Sequence, residues 1–230
     1  MRRTSMRLAA LLVGSGLAVA ACGNSLQLGS AATTSAGRIT SATLTNQVAN
    51  LSAAYTAEKR KGITPQLSAS QATQQTLGWL IVFKIWDRLA AAHHITVTPA
   101  QVQAQVKFLN SLAAQGHADA GTYISAVAGV PPDLVPQTAR YLAIRHALED
   151  KLDGGKTPAQ NSPAATALAS REGHAVCLAA KHLNISVNPQ YGAFDYSAYT
   201  VVPQASKLAA NGSPSPAASA SAKPRLSPPC

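Results

Sequence analysis

The side chains able to do chemistry are few, and their spacing argues mostly against it. His93 and His94 are adjacent, so on a helix they diverge by about 100 degrees and chelate one ion poorly. His146 and Glu149 stand one turn apart and have the geometry to share a metal, but charged helix faces produce such pairs by chance. His174 and His182 carry no more weight. No Cys-x-x-Cys, His-x-x-x-His or Gly-x-Ser-x-Gly occurs, so neither a metal knuckle nor a nucleophile elbow is spelled out. The adjacent carboxylates Glu149 and Asp150 lie among Arg145, Lys151 and Asp153, the pattern of a solvated helix face rather than of an acid–base pair. The expectation is a chain with no catalytic residue, no metal, no cofactor and no small-molecule ligand.

The thiols say more. Arg2, Arg3 and Arg7 precede an uncharged stretch from Leu8 to Val19, which ends in Val19-Ala20-Ala21-Cys22. That layout reads as an export signal over 1–21. A cysteine directly after Ala20-Ala21 also matches the bacterial lipobox, in which Cys22 is acylated and becomes the first mature residue. Two or three acyl chains at about 0.8 kcal/mol per buried methylene give stable anchoring, so the expected location is the outer face of the cell membrane. Gly23 to Gly37 has no charge and mainly small side chains and reads, with Cys22, as a flexible tether over 22–37. If Cys22 carries lipid, Cys177 and Cys230 remain in an oxidising compartment, and whether they pair is left open. Without the three leader arginines, sixteen bases face nine acids, a balance that favours anionic lipid or wall polymer. The bases are scattered, Lys59-Arg60-Lys61 being the only run, and with export this argues against nucleic acid.

Positioning these residues falls to helices. From Thr73 to Ala92, eight large apolar side chains leave charged groups only at Lys84, Asp87 and Arg88, on one narrow face. Its uninterrupted apolar run, Leu77 to Phe83, is seven residues, far short of the roughly 20 that cross a bilayer. Such a helix has to be enclosed by others. Ser68 with Gln71 predicts a capping box at its start, and Thr98-Pro99-Ala100-Gln101 predicts another. Thr40 opens a helix carrying Leu44, Val48, Leu51 and Tyr55, with Gly62 at its end. Val102, Val106, Leu109 and Leu112 stripe the helix that stops at Gly116. Asp119 opens a short helix closed by Gly129, and Asp133 is expected to cap one running to Gly154-Gly155. Ser162-Pro163 starts the last, with Leu168, Ala175, Leu178 and Leu183 inward. Ile95–Val97 reads as a connector and Ile185–Pro189 as extended chain. Beyond Pro203 the sequence is Ala, Ser and Pro with three bases, too poor in large apolar groups to fold. The fold class expected is all-α, a single bundle of five or six helices over 38–202, with a disordered tail over 203–230.

Taken in order, the lipobox, Gly37-Arg38-Ile39-Thr40, His94-Ile95-Thr96-Val97-Thr98 and Val187-Asn188-Pro189-Gln190-Tyr191-Gly192 resemble the amino-terminal domain of SurA-type chaperones, in the lipoprotein form of high-GC Gram-positive bacteria. The resemblance covers about Ala31 to Val202. It implies an all-helical module that holds unfolded exported polypeptide, with its first and last helices packed together. SurA and the related PrsA lipoproteins add a parvulin isomerase after this module, but only 28 residues follow Val202, and Gly154-Gly155 precedes Lys156 rather than the Asp-Leu-Gly of a parvulin. Isomerase activity is therefore not carried over. The expected role is a holdase whose client contacts fall among Tyr55, Phe108, Tyr123, Tyr141, Tyr191 and Phe194. The alternatives are a structural or adaptor lipoprotein docking one envelope partner and, third, an isomerase-related enzyme. The aromatic cluster Tyr191–Tyr199 reads more readily as a staple across the bundle than as a client surface.

Overall fold

The computed structural model describes residues 28–60, 68–156 and 158–204, without side chains over 58–60. In chain order it contains β1 (Ser30–Thr34), β2 (Gly37–Thr40), α1 (Ser41–Arg60), α2 (Ala69–Ala92), α3 (Pro99–Gln115), α4 (Ala120–Ala128), a 3-10 turn at Pro132–Leu134, α5 (Val135–Asp153), α6 (Pro163–His182), β3 (Ser186–Val187), β4 (Ala193–Asp195) and β5 (Thr200–Val202). The molecule is mostly helical. The expected signal over 1–21, Cys22, Lys61, Gly62, Cys230 and most of the expected tail lie outside the described residues.

Local chemistry sets the helix ends. Ser68 accepts the Gln71 backbone N–H while the Gln71 side chain accepts the Ser68 N–H, and Thr98 with Gln101 repeats the arrangement at α3. Thr40 accepts the Thr43 N–H at 3.0 Å, Asp119 that of Thr122 at 2.9 Å, and Ser162 that of Ala165 at 3.1 Å. Each satisfies an N–H that a helix start leaves without an intrahelical partner. Gly129 and Gly154 close α4 and α5 in the left-handed conformation.

Burial explains why α2 is apolar around most of its girth: it serves two cores at once. Leu77, Ile81, Ile85 and Leu89 are fully buried, packed with Ile144 and Leu148 of α5 and Leu183 after α6. On its other side Trp79, Leu80 and Phe83 pack against a second cluster of Leu109, Ile124, Val130 and Leu134. At about 1.5–3 kcal/mol per buried large side chain, this one helix gathers much of the apolar driving force.

The strands correct the all-α expectation. β1 pairs antiparallel with β2, Ala32 opposite Ile39, and with β3, Ala32 opposite Val187. β4 and β5 form a separate hairpin, Phe194 opposite Val201. The tether expected over 22–37 therefore gives way to folded chain at Ser30. The small side chains that made it read as a tether are what let β1 lie flat on the core, Ala31 and Ala32 being 0% exposed. The β1–β2 turn also closes α6: Ser35 donates its N–H to the Leu183 carbonyl at 2.7 Å and its hydroxyl to that of His182 at 3.0 Å. Thus α2 packs against both α1 and α6, and the β1–β3 pair joins the two ends of the domain. Two smaller corrections follow. Asp133 does not cap α5; it accepts a hydrogen bond from the Asn50 side chain of α1, and Leu134 occupies the cap position without a side-chain bond. Leu178, expected inward, is 40% exposed.

Candidate functional site

A cleft of about 520 Å³ opens between α2, α5 and α6, bounded at one end by the segment leading into β5. Its α2 wall carries Trp79 and Trp86, seven residues apart and therefore on one helix face. Tyr141 of α5 completes an aromatic cluster, with ring centroids 5.1 Å from Trp86 at 80° and 6.1 Å from Trp79 at 72°. Both are edge-to-face contacts of the kind aromatic quadrupoles favour. Trp79 is held by an N–H donated to the Ala128 carbonyl at 2.9 Å, which also accepts from Gln75 at 2.9 Å. The last turn of α4 thereby fixes the indole.

The opposite wall is low because of its sequence. α6 presents Ala169, Gly173 and Val176 to the cleft, at steps of four and three, and two of these have almost no side chain to fill the space. Tyr199 spans the end, its hydroxyl donating to the Gly173 carbonyl at 3.3 Å.

One carboxylate stands on this wall. Glu172 lines the cleft, its Oε1 3.1 Å from Nε of Arg145, and the same Nε is 2.9 Å from Oε1 of Glu149. Arg145 Nε is buried and makes no well-directed hydrogen bond, so the contacts are ionic, one guanidinium between two carboxylates. Burial pushes the Glu172 carboxyl above its ordinary value, with Arg145 pulling it back. Tyr141 is likewise raised by burial. Burial works against the charge on Arg145, and Glu172, Tyr141 and Glu149 together outweigh it, raising its pKa. The Glu149 region is thus not simply the solvated face read from sequence: Glu149 is 27% and Glu172 15% exposed in their side chains.

Of the six aromatic candidates, Tyr141 borders this cleft and the others lie elsewhere. Tyr55 sits half-buried on α1, its hydroxyl 3.5 Å from the Ser125 carbonyl. Tyr123 packs against the second core cluster and Tyr191 against the first. Phe194 stacks edge-on with Tyr196 at 5.0 Å, and Phe108 is 48% exposed on α3. Trp79, Trp86 and Glu172 were not singled out as site residues, and the available signal was the inward α6 stripe with one acid among small residues. His146 Nδ1 lies 3.7 Å from Glu149 Oε2, and no group of three metal-ligating side chains occurs among the described residues. None of the described helices is long and apolar enough to cross a membrane.

Comparison with family models, with curated proteins and with solved structures finds no match. The cleft has to be interpreted from its own chemistry.

Proposed function

We propose that the chain is a lipoprotein anchored through Cys22 at the outer face of the cell membrane, which holds non-native exported polypeptide in the α2–α5–α6 cleft without catalysis. The observation that carries this is an aromatic-walled cleft faced by small residues. It offers flat apolar area with little demand on side-chain shape, which suits varied apolar segments better than one small molecule. The lipobox and the ordered SurA-like motifs support the same reading. In this mechanism a client side chain leaves water against Trp79, Trp86 and Tyr141, and the anchor keeps the cleft where chains emerge.

The test is light scattering of several unrelated unfolded proteins with the membrane-extracted chain after treatment with a dithiol reductant. Suppression is expected for all of them and is expected to fall with Ala169→Leu, which fills the cleft with a residue as compatible with a helix as most. Failure with every substrate, or an unchanged effect in the filled variant, overturns the reading. A single stoichiometric partner after mild crosslinking would favour the adaptor alternative instead.

A further inference from the structure

Cys177 is disulfide-bonded. It lies on α6 one turn beyond Gly173 and next to Val176, both of which line the cleft, and it is 7% exposed. The chain has two other cysteines, Cys22 and Cys230, and acylation of Cys22 leaves only the latter.

We propose that the cleft has a resident occupant, the chain's own segment Lys223 to Pro229, held there by a disulfide between Cys177 and Cys230; this rests on the cleft being the holding site and adds its regulation. Three observations converge on it. First, Thr200 borders the cleft and the described chain ends four residues later, at Gln204. Twenty-six residues remain, and at roughly 3.3 to 3.6 Å each they reach much farther than the return to α6 requires. Second, a half-cystine so little exposed obliges its partner chain to come down onto the bundle, since bridged Cα atoms stand about 4.4 to 6.8 Å apart. The residues immediately before Cys230 are then delivered to the cleft side of α6.

Third, the chemistry matches. Lys223-Pro224-Arg225-Leu226-Ser227-Pro228-Pro229 is a proline-rich basic segment, the kind that docks in extended form on aromatic grooves. Trp79, Trp86 and Tyr141 supply such a groove. Arg145 faces both Glu149 and Glu172, leaving a carboxylate in surplus for Arg225 or Lys223, with the half-buried Trp79 indole at hand for cation–π contact.

The linkage is redox chemistry that balances simply. One S–S bond forms between Cys177 and Cys230, both S–H bonds are lost, two protons leave, and two electrons pass to the disulfide of a thiol oxidoreductase outside the cell, which becomes a dithiol. A dithiol reductant reverses the exchange and frees the cleft.

The experiment uses the full-length chain extracted from membranes without reductant. Proteolysis and mass spectrometry are expected to find one linked pair of peptides containing Cys177 and Cys230; linkage to Cys22, or a free Cys177, overturns the proposal. The chain has two tryptophans; Trp86 is only 5% exposed, so acrylamide quenching of the half-buried Trp79 reads the cleft's occupancy. Reduction, or Cys230→Ser in a chain of unchanged circular dichroism, is expected to raise quenching severalfold, and Lys223→Glu with Arg225→Glu to raise it with the bridge intact. Unchanged quenching overturns the occupant. Equal suppression of aggregation by oxidised and reduced protein overturns the gating while leaving holding in place. The cross-link and the quenching change without suppression in either state uphold the occupant and sink the holding function.

Discussion

At the scale of single residues, two positions have effects out of proportion to their size. Glu172 carries a raised pKa because burial disfavours its charge, so the folded state keeps a proton that the unfolded chain gives up above its ordinary 4.5. Its contribution is whole below that value and is lost as pH rises through the folded one. Asp119 and Asp195 act the other way: hydrogen bonds, from Thr122 and Ser197 respectively, hold their pKa values below 3.8, so their contributions are lost as pH falls through the lowered values. Glu172→Gln is therefore expected to flatten the decline of Tm just above pH 4.5 without changing the loss at lower pH, read by thermal melts across the range. Gly192 has φ +124°, and a Cβ there would collide with the Val202 carbonyl oxygen. Gly192→Ala is expected to open the β4–β5 hairpin and release Tyr199 from the cleft end, seen as faster amide exchange over 193–202 with the helices unaffected. Neither effect was legible in the sequence. Glu172 reads as one more helix acid until α5 is placed beside it, and Gly192 as an ordinary turn.

At the scale of elements, helices were legible because their signals are local. A cap and a 3.6-residue stripe lie within one contiguous segment, and Ser68–Gln71 and Thr98–Gln101 fixed two starts to the residue. Asp133 failed for the opposite reason. Its competitor, Asn50, is 83 residues away, and local reasoning does not weigh it against a cap. β3 falls within Ile185–Pro189, the chain read as extended, whereas β1 was missed because its small residues become a strand only when packed on the core between β2 and β3, the latter more than 150 residues on, and the cleft because its low wall on α6 matters only opposite Trp79 and Trp86. Where the signal is local, it makes a quantitative prediction. Asp119 accepts both the backbone N–H and the hydroxyl of Thr122 at 2.9 Å, so Asp119→Ala is expected to cost about 1 kcal/mol. That corresponds to roughly 2–4 °C in Tm for a domain of this size, with the shape of the melt preserved.

At the scale of the whole molecule, α2 decides how the two apolar clusters behave. Were each cluster served by its own helices, the β1–β3 side and the α3–α4 side would be free to melt separately. They instead share one rod, with Ile81 and Leu89 in the first cluster and Trp79 and Phe83 packed on the second, and Arg140 bonds Asp87 at 2.9 Å across the α2–α5 contact. Neither cluster can lose α2 without the other losing a wall. Leu109→Ala in the second cluster and Leu148→Ala in the first, 4% and 0% exposed respectively, are each expected to cost about 2–5 kcal/mol. Both should move the same single transition, followed in parallel by tryptophan fluorescence and far-UV circular dichroism. Coincident curves in both variants are the expected result. A fluorescence change that runs ahead of the helix signal in Leu109→Ala alone would mean that the clusters are separable and that α2 is a wall of one core merely touching another. The cleft would then lose its basis as a rigid site, because Trp79 is fixed from the second cluster and Trp86 from the first.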